Sequence, residues 1–184
     1  MDVLDTLSNE HGLIRRFLEE LARAEDELEN GQVPPGEFFE KAVDFARTFA
    51  DRYHHYKEEV LMFVRVAHRK PGELGGQLEV LRRQHDMSRS LVDQIAGRLA
   101  AYKTGDREAG ATLRELLGAY RSLLTRHLQI EDRVLFPTAR AALTAEDMAE
   151  LHLEFESDRS RAGERTFEQA HKLLVDMSSL LADG

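Results

Sequence analysis

Two ten-residue stretches carry the side chains best suited to chemistry. One reads His54-His55-Tyr56-Lys57-Glu58-Glu59-Val60-Leu61-Met62-Phe63, the other His127-Leu128-Gln129-Ile130-Glu131-Asp132-Arg133-Val134-Leu135-Phe136. Both fit His-x-x-x-Glu-x-x-x-x-Phe. Four residues is about one helical turn, so each His and its Glu project from one face and reach a common metal ion. One such pair means little on a helix surface; two in matching context mean more. Two further histidines occupy corresponding places, Leu7-x-x-x-His11 and Leu81-x-x-x-His85. His11 precedes His54 by 43 residues and His85 precedes His127 by 42. The chain repeats a unit that carries a His and then His-x-x-x-Glu.

Four imidazoles and two carboxylates suit a first-row ion bound by nitrogen and oxygen. With Glu58 and Glu131 both bridging, each of two ions receives two His and two carboxylate oxygens, and coordination positions stay open. Iron is favoured over zinc, because structural zinc prefers closed four-coordinate sites, and manganese is the alternative. Within the second helix the repeat alignment selects His54 and Glu58, since Glu58 precedes Phe63 as Glu131 precedes Phe136. His55 and Glu59 have the same spacing and stay as the alternative pair. Asp51, Asp86 and Asp132 are candidate acceptors behind the ligand imidazoles. Tyr120, His68, His152 and His171 are read as core packing, a helix-dipole partner and two surface residues respectively.

The elements that must position these groups are helices separated by Gly and Pro breaks. Helical periodicity covers about residues 2–30 and 36–69. It resumes after the Gly-rich segment 71–76, continues to about 103, and returns from 107 to Phe136, where Pro137 is expected to stop it. No segment alternates apolar and polar residues over strand length, so the chain is all-α. At 1.5 Å per residue, His11 and His54 lie roughly 29 and 27 Å from the turn that joins their helices, which puts them at one height. The second pair agrees similarly. The turn between helices two and three fits less well and depends on where helix three starts. Residues 138–184 form a separate extension, expected as a helical hairpin across one end of the bundle formed by residues 1–137, with Thr144 as an N-cap and a last helix from about 164 to 181.

Composition narrows the function. The chain has 184 residues, 42% of them hydrophobic, enough for one folded domain with a sizeable core. The net charge of −9 argues against a nucleic-acid partner. There is no cysteine, which removes thiolate nucleophiles, iron–sulfur clusters and Cys-ligated zinc. No apolar run approaches a membrane span and the N-terminus lacks a signal-peptide layout, so no membrane partner and a cytoplasmic location are expected.

The His and His-x-x-x-Glu repeat, with Val134-Leu135-Phe136-Pro137 closing helix four, resembles the hemerythrin-like, or His-His-Glu cation-binding, family from Leu7 to Pro137. The resemblance implies an up-down-up-down four-helix bundle around two non-haem iron ions, oxo- or hydroxo-bridged. Carried over position by position, the ligands are His11, His54, Glu58, His85, His127 and Glu131. Oxygen-carrying hemerythrins have one more His, a turn after the third-helix ligand; here that position is Arg89, which argues against reversible oxygen storage. The six-ligand set is closer to bacterial proteins tied to iron–sulfur repair under nitric oxide stress, whose Cys-containing segment this chain lacks. The expectation is a di-iron protein that binds or responds to O2, NO or peroxide, or handles iron. A di-iron enzyme of the peroxide-disproportionating or ferroxidase type, and a zinc-stabilised or metal-free interaction module, are the alternatives.

Overall fold

The computed structural model describes residues 2–72, 74–162 and 165–182. Helix α1, Val3–Glu29, starts from a reciprocal cap: Asp2 accepts from the Asp5 amide, and the Asp5 carboxylate accepts from that of Asp2. It ends at Gly31, whose φ of 79° lets the chain turn back. Helix α2 spans residues 36–69 and is not uniform: Ala46–His55 and Lys57–Met62 are wound as π-helix between the α-helical Gly36–Phe45 and Phe63–Arg69. Helix α3, Gly75–Lys103, and helix α4, residues 107–142, complete an antiparallel bundle. Asp106 caps α4 by accepting from the Glu108 and Ala109 amides. All described secondary structure is helical.

Pro137 does not stop helix four, contrary to expectation. The helix runs on as Phe136–Ala142, directly after a π stretch over Glu131–Leu135. The amide of Phe136 bonds the carbonyl of Glu131, five residues back, so the turn before the proline is already wide. A wide turn gives the ring room beside the carbonyl four residues back and removes the need for its missing N–H. π turns also spend more residues per unit of rise. This absorbs part of the mismatch expected between helices two and three, because α3 begins at Gly75 while π winding compacts α2.

The two C-terminal helices, α5 (Ala145–Ala162) and α6 (Arg165–Ala182), do not lie across one end as a hairpin. They follow one another along the seam between α1 and α2. Arg69 pairs with Asp147, Arg65 with Glu154, Phe49 packs on Phe167, and Lys41 reaches Asp176. Numbers in α2 fall as those in the extension rise, the mark of one continuous antiparallel path. The reason is where the apolar residues point: Leu151 and Phe155 enter one core cluster, Leu174, Met177 and Leu181 another. Thr144 caps α5 as expected, exchanging hydrogen bonds with Asp147. The expected start of the last helix at residue 164 lies outside the described residues.

The apolar interior falls into two clusters. One gathers Phe17, Phe38, Phe45, Phe49, Leu117 and Tyr120, the other Leu4, Leu7, Phe63, Leu81, Leu135 and Phe136. Between them lies a layer of buried polar side chains: His11, His54, His55, Glu58, His85, His127 and Glu131, each no more than 1% exposed. Such a layer is costly unless something compensates its charge and lone pairs.

Candidate metal centre

Each helix of the bundle brings its motif residues to this one layer. Leu7 and Leu81, one turn before His11 and His85, are fully buried and fix which face of α1 and α3 turns inward. The Nε2 atoms of His11 and His54 face each other at 3.1 Å, those of His85 and His127 at 2.9 Å. Glu58 reaches both pairs: its Oε1 lies 3.4 Å from His54 Nε2 and 3.9 Å from His11 Nε2, its Oε2 3.5 Å from His85 Nε2. Glu131 Oε2 lies 3.4 Å from His11 Nε2 and 3.1 Å from His127 Nε2. Two groups of four potential ligands result, His11 with His54 and His85 with His127, both completed by Glu58 and Glu131. The structure thus brings all six sequence-predicted residues together.

The outer nitrogens show what the inner ones are for. His11 Nδ1 meets Asp132 Oδ1 at 2.9 Å, and His54 Nδ1 meets Glu10 Oε2 at 2.9 Å. His85 Nδ1 meets Glu59 Oε1 at 2.5 Å, and His127 Nδ1 meets Gln84 Oε1 at 2.9 Å. An oxygen acceptor on Nδ1 draws the proton there and leaves the Nε2 lone pair directed inward. Each pair of opposed lone pairs then needs a cation between them. Both oxygens of Glu58 and of Glu131 also lack a hydrogen-bond partner although they are fully buried. Orphaned carboxylate oxygens and converging imidazole lone pairs fit metal ions better than any protein partner.

In the metal-free chain, protons do part of this work. Burial opposes charge on His11, but Asp132, Glu131 and Glu58 outweigh it and hold its pKa well above the ordinary imidazole value. Burial likewise opposes charge on His127, and Glu131 and Glu58 raise it. His54 and His85 are pushed well below by burial and by neighbouring imidazoles. Burial and the charge of Glu131 push Glu58 up to about 7. Burial acts the same way on Glu131, but the imidazoles of His127 and His11 overcome it and hold this carboxylate well below its usual range.

The outer acceptors are largely residues that sequence reasoning passed over. Asp132 takes the expected role, whereas Asp86 points away and pairs with Arg89 at 2.9 Å. Glu10, Gln84 and the supporting role of Glu59 were not anticipated. Their signal was in the repeat: Glu10 and Gln84 each precede the first His of a unit, and Glu59 and Asp132 each follow its Glu. A cation anchors each outer carboxylate: Arg15 on Asp132, Lys57 on Glu10, Arg89 on Glu59. His55, half of the alternative pair, is buried and stacked on His85 with ring centroids 3.9 Å apart. A π turn advances less per residue than an α turn, so neighbours diverge less and His54 and His55 both point inward. His68, His152 and His171 are exposed and stand apart from the layer. Tyr120 packs against Phe17 as a core residue.

A family model for the hemerythrin HHE cation binding domain matches residues 2–139 and, separately, 76–182. This chain belongs to the hemerythrin HHE family. The second match begins in α3, consistent with a chain whose two halves carry the same motif order. Uncharacterized proteins of Mycobacterium bovis and Mycobacterium tuberculosis are 27% identical over 178 residues, covering 96% of this chain and 69% of theirs. No solved structure matches this chain. Family membership and the buried His and Glu clusters together make this a metal-binding helical domain. Among the described residues no helix is long and apolar enough to cross a membrane. Arg89, a turn after His85, sits at the margin of the layer and bonds Asp51, Glu59 and Asp86.

Proposed function

We propose that this chain is a non-haem di-iron protein that binds or responds to a small ligand of the size of O2, NO or peroxide. In this reading His11 and His54 would hold one ion and His85 and His127 the other, with Glu58 and Glu131 within reach of both pairs. The observation that carries it is the opposition of two Nε2 pairs at 3.1 and 2.9 Å with every Nδ1 of those four imidazoles already engaged. Two such ions supply redox and Lewis-acid chemistry toward a diatomic or peroxide ligand.

The protein residues set the limits of that chemistry. Asp132, Glu10, Glu59 and Gln84 fix imidazole tautomer and ring orientation, and the carboxylates among them raise ligand basicity. The apolar clusters above and below exclude bulk water and bulky substrates. A cavity of about 370 Å³ between the α1–α2 seam and the extension is lined in part by Glu10, Lys57 and Phe155, and so approaches the centre behind His54.

Metal analysis with an optical spectrum of the air-oxidised protein tests the reading. Two irons per chain with near-ultraviolet absorption are expected, and both are lost in Glu58→Ala. A colourless protein with stoichiometric zinc overturns it. Peroxide turnover by the iron-loaded protein distinguishes an enzyme from a binding protein.

A further inference from the structure

The two halves of the repeat are covered differently. In the first half, Leu13 and Phe17 of α1 are buried in a core cluster that includes Leu174 and Met177 of the extension. Their counterparts in the second half, at the same distances after the motif histidine, are Met87 and Leu91 of α3. Met87 is 56% exposed, Val80 one turn before His85 is 50% exposed, and Leu91 is only partly buried. Val80, Gln84, Met87 and Leu91 recur at helical spacing and form one stripe. Gln84 reaches His127, so the stripe runs along the edge of α3 that meets α4.

Helix α4 completes this uncovered face with a pattern of charge. Toward α1 its side chains are engaged: Arg114 with Glu29, Arg121 with Glu25, Asp132 with His11. Helical spacing turns Glu108, Glu115, Arg126 and Arg133 away from α1, and all four are exposed without an ion-pair partner among the described residues. The stretches Glu108 to Arg133 and Glu115 to Arg126 share one midpoint, between Tyr120 and Arg121. His85 stands level with His127, so Leu91 of α3 stands level with Arg121, at that same midpoint. Near it, α4 carries Gly118, Ala119 and Ser122 on this side, small residues that let another helix approach closely. A helix acidic toward one end, small in the middle and basic toward the other is complementary to its own reversed copy.

We propose that the outer face of α3 and α4 binds a second copy of this chain, as a two-fold dimer in which α4 packs antiparallel on its counterpart. Glu108 then meets Arg133 of the partner subunit, and Glu115 meets Arg126 of the partner subunit. The symmetry repeats both pairs. Leu91 lies beside the axis, with Met87 and Val80 covered further out. The size suits a stable dimer: the 29 residues of α3 span about 43 Å, and two adjacent helices are about 20 Å wide. That is room for the roughly 800 Å² per partner of a standard interface. The assembly does not depend on metal, and it gives the second half of the repeat the cover that the extension gives the first.

Analytical ultracentrifugation of the full chain tests this with two charge reversals, Glu115→Arg and Arg126→Glu. The wild type should sediment as a dimer. Each variant alone sets like charges against each other twice across the axis, and should dimerise at least about tenfold more weakly. Mixed in equal amounts, the two variants should recover a dimer, because each then meets the opposite charge at both contacts. Both substituted side chains are exposed, and unchanged circular dichroism confirms that the variants fold. A wild type that stays monomeric to about 100 μM, where an interface of this size should hold, overturns the proposal. So does a dimer that neither variant weakens, or a mixture that stays monomeric.

Discussion

His54 and Glu10 are joined at 2.9 Å, Nδ1 to Oε2, and the other oxygen of the same carboxylate takes the ammonium of Lys57. Both members of this ion pair are almost fully buried, with Lys57 Nζ also lying 3.6 Å from the centroid of the Tyr53 ring. A buried lysine thus braces the His54 imidazole from behind. Lys57→Met should cost about 3–5 kcal/mol, because it leaves a buried carboxylate without its cation. Adding Glu10→Gln should recover much of the loss, since the amide oxygen still accepts from His54. Urea unfolding of the single and double variants measures both values.

Glu58 should reverse its effect with metal loading. Metal-free, it is a desolvated carboxyl with no hydrogen-bond partner, held beside the charge of Glu131. Glu58→Gln should then stabilise the metal-free chain by on the order of 1 kcal/mol. In a chain of this size that raises Tm by about 2–4 °C. With iron present, the same substitution removes a bridge, and both iron content and Tm should fall below the wild type. Thermal melts with and without iron check the change of sign.

Metal uptake should strengthen as the pH rises through neutrality. The raised pKa values of His11 and His127, with Glu58 near 7, mean that protons occupy the centre in neutral solution and must leave when an ion enters. Each proton displaced makes the apparent affinity about tenfold stronger per pH unit. For folding without metal, the sign is opposite. Above the ordinary imidazole value of 6.5, the folded chain still holds protons on His11 and His127 that the unfolded chain has released. Their contribution to stability is therefore lost as the pH rises through that window. Competition titrations and melts at several pH values should move in contrary directions.

The C-terminal extension should matter to the centre even though it supplies none of the converging imidazoles. Phe155 is 5% exposed within the core cluster that includes Leu4, Phe63 and Leu135. Phe155→Ala should cost about 3–5 kcal/mol. Asp147, held below the usual carboxylate range by the Arg69 guanidinium and the Thr144 amide, contributes stability that is fully present above its ordinary value of 3.8 and is lost progressively as the pH falls from there toward its lower folded value. Asp147→Asn should accordingly flatten the acid side of the stability profile. Chemical unfolding between pH 3 and 7 reads the difference, with about 1 kcal/mol expected at the upper end.

The sequence alone determined the helical class, the repeat and the six converging residues, because helical spacing and a duplicated motif are local and periodic properties. His11, His54, Glu58, His85, His127 and Glu131 could be named without coordinates for that reason. Tertiary structure decided the rest. Whether Glu59 faces the centre or braces His85, whether His55 points inward, and whether Pro137 ends a helix all depend on π turns that shift the angular register by part of a turn. Those turns carry His54, His55, Glu58 and Glu131 themselves, and π winding of this kind is rare and concentrated at functional sites. The course of α5 and α6 depended on which seam of the bundle was open to their apolar faces, a relation between residues far apart in the chain.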